Sequence, residues 1–257
     1  MNLYEIIKTR KSVRTFDGRP LLEEDKKTLC DYIAGITNPY GIPVEFVLLD
    51  AEEHGLSSPV IRGETLYLAG KVKRVPHCEE AFGFAFEKLV LYAWSLGIGT
   101  TWIGGTMDRA MFETAAQVQP GELMPIVTPL GYPAAERSEV DAKLRASVHG
   151  DERLPISELF FEKDFSTPMT EPDALLETVR WAPTAANRQP VRVVRDGSAY
   201  HFYEKHTMPG GTAWDVQKID VGIAVCNFIS AAGGRFSIAD PGIQTPEDTE
   251  YIATVTL

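Results

Sequence analysis

Apolar side chains recur at helical spacing at Leu3, Ile6 and Ile7, so residues 2–8 are expected to form a short amphipathic helix leading into the basic stretch RKSVR. A second helix is expected after Leu22, over residues 23–33; the turn cluster NPYGIP then interrupts it, and VEFVLL at 44–49 reads as a buried strand. Residues 79–96 are apolar almost all the way round, with Phe82, Phe84, Phe86, Leu89, Val90, Leu91, Tyr92 and Trp94, and Glu87 and Lys88 as the main polar interruption. A helix without a polar face must be buried centrally. It runs into SLGIGTTWIGG, where glycines stop the helix and leave backbone that a ligand can approach closely. MPIVTPLGYP supplies a further strand, and LPISELFFEKDF reads as a connector with one or two helical turns. The polar, proline-bearing composition of 164–172 marks a boundary, which divides the chain into a first half, 1–163, and a shorter second half, 164–257.

Beyond that boundary the pattern starts again. MTEPDALLETVRWAPTAANRQPVRVV repeats the order helix, turn, strand of LLEEDKKTLCDYIAGITNPYGIPVEFVLL. IDVGIAVCNFISAA lies on AFGFAFEKLVLYAW so that Gly222 meets Gly83 and Ala224 meets Ala85, and EYIATVTL alternates like a closing strand. An internal duplication of low identity is the expectation.

Composition narrows the class. The chain has 257 residues, 44% of them hydrophobic, which is ample for a packed core and excludes disorder. Its net charge of −11 argues against a nucleic-acid partner, which would need a basic face to neutralise phosphates. No apolar run of about twenty residues and no signal-peptide core appear, so neither a membrane nor export is expected and the chain is placed in the cytoplasm. Cys30, Cys78 and Cys226 are odd in number and far apart, without a C-x-x-C pair, and are expected to be buried free thiols. The run His77-Cys78-Glu79 suits a helix start better than metal ligands, and His201 and His206 are expected at the surface or at strand ends, so no metal site is expected. A nucleophile elbow and a P-loop are both absent.

Three segments carry candidate chemistry. In Arg10-Lys11-Ser12-Val13-Arg14 two guanidiniums flank a hydroxyl, a donor set suited to a phosphate dianion, although a stretch this short taken alone is better read as a solvated basic turn. Ala182-Pro183-Thr184-Ala185-Ala186-Asn187-Arg188-Gln189-Pro190 is more specific: a hydroxyl and two amides at fixed spacing suit a polyhydroxyl chain and the polar edge of a heteroaromatic ring, where the bland alternative is a helix-ending loop. Gly97-Ile98-Gly99-Thr100-Thr101-Trp102-Ile103-Gly104-Gly105 is not a dinucleotide fingerprint, since it follows a helix and has tryptophan where the third glycine should stand.

Together these segments resemble the FMN-dependent nitroreductase family: R-x-S-x-R, A-P-S-x-x-N-x-Q-P, and G-L-G-T-x-W-I-G-G followed by P-L-G-Y-P, here Pro129 to Pro133. The resemblance implies an α+β nitroreductase-like fold with an antiparallel or mixed sheet and packed helices. It implies that Arg10, Ser12 and the late basic residue Arg153 hold the flavin phosphate, with Arg137 a weaker candidate for that late position. Arg14 would stabilise charge at flavin N1 and the C2 carbonyl, a catalytic role. Backbone at Ile103, Gly104 and Gly105 would lie near N5, and Pro183, Thr184, Asn187 and Gln189 would orient ring and ribityl chain. In homodimers of the family the phosphate set and the amide loop come from different subunits. Here they lie in different halves of one chain, and the first half has ITNPYGIP where the amide loop belongs. The implied protein is a fused pseudo-dimer, a monomer with one FMN, that uses NAD(P)H to reduce nitro compounds, quinones or another small-molecule electron acceptor. The alternative is a degenerate flavin- or small-ligand-binding protein without turnover.

Overall fold

The computed structural model describes residues 2–171, 173–209 and 213–257. Its elements follow in chain order: α1 (Leu3–Thr9), α2 (Glu23–Ile33), β1 (Val44–Asp50), β2 (Leu66–Lys73), α3 (Cys78–Ser95), α4 (Arg109–Ala115), β3 (Glu122–Leu123), β4 (Val127–Leu130) and α5 (Glu139–Ser147). There follow α6 (Ile156–Leu159), β5 (Phe160–Glu162), α7 (Ala174–Arg180), β6 (Val191–Asp196), β7 (Ala199–Lys205), α8 (Val216–Ala232), β8 (Arg235–Ser237) and β9 (Thr249–Thr256). Among the described residues no helix is long and apolar enough to cross a membrane.

The chain forms two compact units, one of Thr9–Cys78 and Lys88–Gly150, the other of Asn2–Lys8, Glu79–Glu87 and Asp151–Leu257. In the first unit β2 is central to an antiparallel sheet, paired with β1 from Val44↔Val72 to Asp50↔Leu66 and with β4 from Leu66↔Leu130 to Ala69↔Val127. Leu49, Tyr67, Phe112, Ile103 and Val127 pack into one core there. In the second unit the sheet order is β5-β6-β7-β9-β8, antiparallel except for the β5–β6 pair. Val193, Phe202, Val255 and the apolar side chains of α8 fill its core.

The same topology occurs in both sheets. A helix (α2 or α7) precedes an antiparallel pair (β1–β2 or β6–β7), a long apolar helix follows (α3 or α8), and the second strand after it (β4 or β9) returns antiparallel to the second strand of that pair. Within the second unit the start of α3 meets α8 at the two glycines that the sequence alignment paired. A Cβ on Gly83 would lie 2.1 Å from the Ile219 carbonyl oxygen, and one on Gly222 would lie 2.1 Å from that of Glu80. Each glycine faces the residue three positions before the other, the reciprocity of a two-fold contact.

Several elements went unread in the sequence. Strand β2, LYLAGKVK, holds two lysines and a glycine, yet all but its last residue are buried. Lys71 is tolerated inside because its Nζ lies 3.0 Å from Glu45 and 3.8 Å from Glu122. Strand β7, AYHFYEK, hides its period in the same way, and it corrects the placing of His201: that ring is buried in mid-strand, with Nδ1 2.8 Å from Thr254 Oγ1. The connector LPISELFFEKDF has one helical turn, α6, but continues as β5. Cys30 is half-buried, not buried as expected, whereas Cys78 and Cys226 are buried; all three are free thiols.

Candidate functional site

In the first unit the basic segment is laid out as a strand. Val13 N–H donates to Thr100 O at 2.8 Å, Phe16 N–H to Arg62 O at 2.8 Å, and Ala134 N–H to Thr15 O at 3.0 Å. Along this extended backbone Val13 and Phe16 are buried, whereas Arg10, Ser12 and Arg14 are each half-buried. The glycine loop makes the fit possible, because a Cβ on Gly99 would meet the Val13 side chain at 2.8 Å. Tyr132 of the PLGYP segment accepts from Leu22 N–H at 3.2 Å and donates to Asp25 at 2.5 Å, pinning the start of α2.

Arg14 has a partner that the sequence did not announce. Its Nη1 lies 3.3 Å from Oδ1 of Asp141, a carboxylate only 3% exposed, and Arg137 Nε approaches the same group at 4.0 Å. Burial lowers the Arg14 guanidinium from its ordinary value, and Asp141 opposes the shift. Asp141 belongs to α5, where the Ser138 hydroxyl caps the helix by accepting from Asp141 N–H.

Across the glycine loop, Ile103 is buried and exchanges backbone hydrogen bonds with Val127 at 2.9 and 3.0 Å. The Gly104 carbonyl accepts from Arg109 Nη2 at 2.7 Å, while Arg109 Nη1 reaches Met124 O at 2.5 Å. Nothing lies within 4 Å of a Cβ built on Gly105. The Thr100 and Thr101 hydroxyls are buried with no hydrogen-bond partner among the described residues.

The amide loop of the second unit is held under strain. Ala186, Asn187 and Gln189 have φ of 47°, 55° and 50°, three non-glycine residues in the left-handed region within four positions. Neighbouring groups enforce it. Asp220, reaching up from α8, accepts the Ala185 N–H at 3.0 and 3.1 Å; Thr184 Oγ1 accepts Gln189 N–H at 3.0 Å, and Thr184 O accepts Asn187 N–H at 3.0 Å. Burial pushes the Asp220 carboxyl well above its ordinary value, with the Ala185 N–H pulling the other way. The signal for Asp220 was present, a lone acid in the apolar run IDVGIAV.

The side chains of this loop also grip the segment that carries Arg153. Gln189 Oε1 accepts Leu154 N–H at 2.9 Å, and Asn187 Nδ2 donates to Glu152 O at 3.1 Å. Arg153 itself stacks over Trp181 at 4.9 Å, donating from Nε to Arg180 O at 2.9 Å. Pro183 and Thr184 are half-buried, and Thr184 lines a small cleft of about 20 Å³, room for about one water, whose wall includes Leu159, Phe160, Val179, Ala182 and Gln189.

Paired sheets with long apolar helices, a basic strand on a glycine loop and a strained amide loop define the nitroreductase class of α+β protein. The chain belongs to the family described as "Putative TM nitroreductase", whose model matches residues 2–232. Among solved structures, it resembles a putative nitroreductase from Thermotoga maritima MSB8 with 21% identity and a TM-score of 0.64, over 100% of this chain and 94% of that one. This likeness shows the nitroreductase fold over the whole length. A nitroreductase family protein from Clostridium difficile 630 matches with 16% identity and a TM-score of 0.48, over 62% of this chain and 96% of that one. An iodotyrosine deiodinase bound to FMN and 3-iodo-L-tyrosine matches with 17% identity and a TM-score of 0.45, over 53% and 92%. No curated protein matches the chain.

Proposed function

We propose that this nitroreductase-family oxidoreductase is a cytoplasmic, monomeric FMN enzyme that draws two electrons from NAD(P)H and delivers them to a nitro compound, a quinone or a similar small acceptor. The observation that carries the proposal is the loop of residues 184–189, kept in three left-handed conformations by Asp220 and Thr184. Strain of this kind costs of order 1–3 kcal/mol per residue and persists where a ligand needs the geometry. The residues present fit FMN. Arg10 and Ser12 offer charged and neutral donors to a phosphate, the open face at Gly105 leaves backbone for a flat ring edge, and the orphaned Thr100 and Thr101 hydroxyls can bond a polar group that enters.

When bound, FMN supplies the two-electron chemistry between the nicotinamide and the acceptor. The chain's own residues bind and orient it. Arg14, fixed by Asp141, places positive charge at the pyrimidine edge. Asn187 and Gln189 orient the ring and ribityl chain, and Arg153 acts on the same loop through Trp181 and Glu152. The repeated topology and the reciprocal Gly83–Gly222 contact support a fused pseudo-dimer, which would not need a second copy.

Absorbance spectra and FMN titrations test the proposal. Arg10→Ala and Asn187→Ala, from opposite halves, should each weaken FMN about tenfold or more, the effect of losing ~1.5–3 kcal/mol of charge-assisted or buried hydrogen bonding. Purified protein should oxidise NADH or NADPH with menadione or nitrofurazone. Colourless protein that FMN does not stabilise would refute it. A second reading, flavin binding without turnover, draws on the ion pair that already occupies Arg14 Nη1; bound FMN that neither nicotinamide bleaches would select it.

A further inference from the structure

Far along the chain from the R-x-S-x-R and glycine-loop segments, the second unit gathers charge that the flavin proposal does not use. Glu204 ends the inward face of β7 with its side chain wholly buried. Its Oε1 lies 3.0 Å from Nδ1 of the exposed His206, and its Oε2 has no hydrogen-bond donor among the described residues. Asp215, the N-cap of α8, is fixed by accepting Gln217 and Lys218 N–H through Oδ1 at 2.9 and 3.4 Å. One ligand atom each from Glu204, His206 and Asp215 lie within 4.8 Å of one another.

The surroundings are anionic. Glu250 faces Glu204 across the β7–β9 register, and Asp220 lies on the same helix as Asp215; Lys218 is already bound to Glu250 at 2.6 Å. Burial, followed by repulsion from Asp215, raises the Glu204 carboxyl to about 7. A buried carboxylate with an unmet oxygen calls for a proton, a cation or a metal.

We infer that Glu204, His206 and Asp215 bind one divalent transition-metal ion, Zn²⁺ by preference. One imidazole with two carboxylates suits zinc better than calcium or magnesium, which take all-oxygen sets. Tetrahedral zinc ligands at ~2.1 Å from the ion stand roughly 3.4 Å apart, so modest side-chain movement closes the site and water takes the fourth place. The exposed imidazole gives the ion its path from solvent. The ion would clamp the end of β7 to the start of α8, five residues before the carboxylate that strains the amide loop.

The test is calorimetric titration of the full chain, stripped with EDTA, with ZnCl₂ alone at neutral pH and with MgCl₂ and CaCl₂ as comparators. One Zn²⁺ per chain is expected, with a rising melting temperature and no comparable uptake of Mg²⁺ or Ca²⁺. His206→Ala, at an exposed position, and Asp215→Asn, which keeps the cap oxygen, should each lower zinc affinity ~10–100-fold or more, since even outer partners of metal ligands are worth that much. His54→Ala should leave it unchanged. Absence of saturable uptake below millimolar zinc overturns the site. So does equal affinity in parent, His206→Ala and Asp215→Asn, which would mean an adventitious ion only.

Discussion

Replacing Gly222 by alanine tests the close crossing of α3 and α8. The new Cβ would stand 2.1 Å from the Glu80 carbonyl oxygen and 2.9 Å from its carbon. Carbon–oxygen contacts normally stop near 3.3 Å, so the helices must part locally by about 1 Å, because the obstacle is backbone and cannot rotate away. Overpacking costs ~1–3 kcal/mol, and the parted surfaces lose dispersion besides. Alanine recovers ~0.5–1 kcal/mol over glycine in a helix interior. The balance, with the lost dispersion, is a loss of about 0.5–2.5 kcal/mol, or roughly 1–10 °C in melting temperature for a chain of this size. Urea and thermal melts followed by circular dichroism measure it. The same value is expected for Gly83→Ala, since Ile219 stands at the same 2.1 Å. The double variant should cost less than the sum by ~1 kcal/mol, because the first substitution has already separated the helices. A Gly222→Ala protein as stable as its parent would refute the close crossing, and strict additivity would refute the coupling of the two glycines across it.

Three further expectations follow from named contacts. Ala186→Gly relieves a left-handed alanine at φ 47° and should leave stability equal or raise it by up to ~1 kcal/mol, while FMN affinity falls as the loop loses its preset shape; a loss above ~1 kcal/mol in a urea melt would count against strain there. Asp220→Leu leaves the Ala185 N–H without its acceptor, and should cost ~1–3 kcal/mol together with FMN affinity; unchanged titrations would show that the carboxylate does not hold the loop. Glu204, with a folded value near 7 against an ordinary 4.5, is favoured in the fold as the neutral acid, so its contribution is fully present below about pH 4.5 and is lost as pH rises towards 7. In EDTA, Glu204→Gln should therefore flatten the fall in stability between pH 5 and 8 as measured by melting, and a slope equal to the parent's would rule this out.

What the sequence disclosed and what it hid divide along physical lines. The buried helix α3 was legible because an all-round apolar surface has one solution, and the loop motifs were legible because an ordered set of turn and amide residues is rarer than any composition. Strands β2 and β7 were not, since Lys71, His201 and Glu204 break the alternation, and Lys71 and His201 are reconciled with burial only by partners on neighbouring strands. The same distance in sequence hid the site's ion pair: Asp141 lies 127 positions from Arg14, and no local pattern links them. Arg153 was legible as a basic residue but not as one stacked on Trp181.

The two loops that each join a helix to the first strand of an antiparallel pair differ in the constraint they carry. In the first, ITNPYGIP, the turn closes on local bonds, Asn38 Nδ2 to Ile42 O at 2.6 Å and Tyr40 N–H to Asn38 Oδ1 at 3.1 Å, and its one left-handed residue is Gly41, at φ 68°. Glycine takes that conformation without strain. In the second, three non-glycine residues take it and a buried carboxylate is committed to holding them there. A loop free of function is expected to lack such strain, because substitutions that relieve backbone strain are easy to find and stabilise. Strain survives where a ligand needs the geometry, so of the two loops the one ending in Gln189 is where a bound cofactor should be sought.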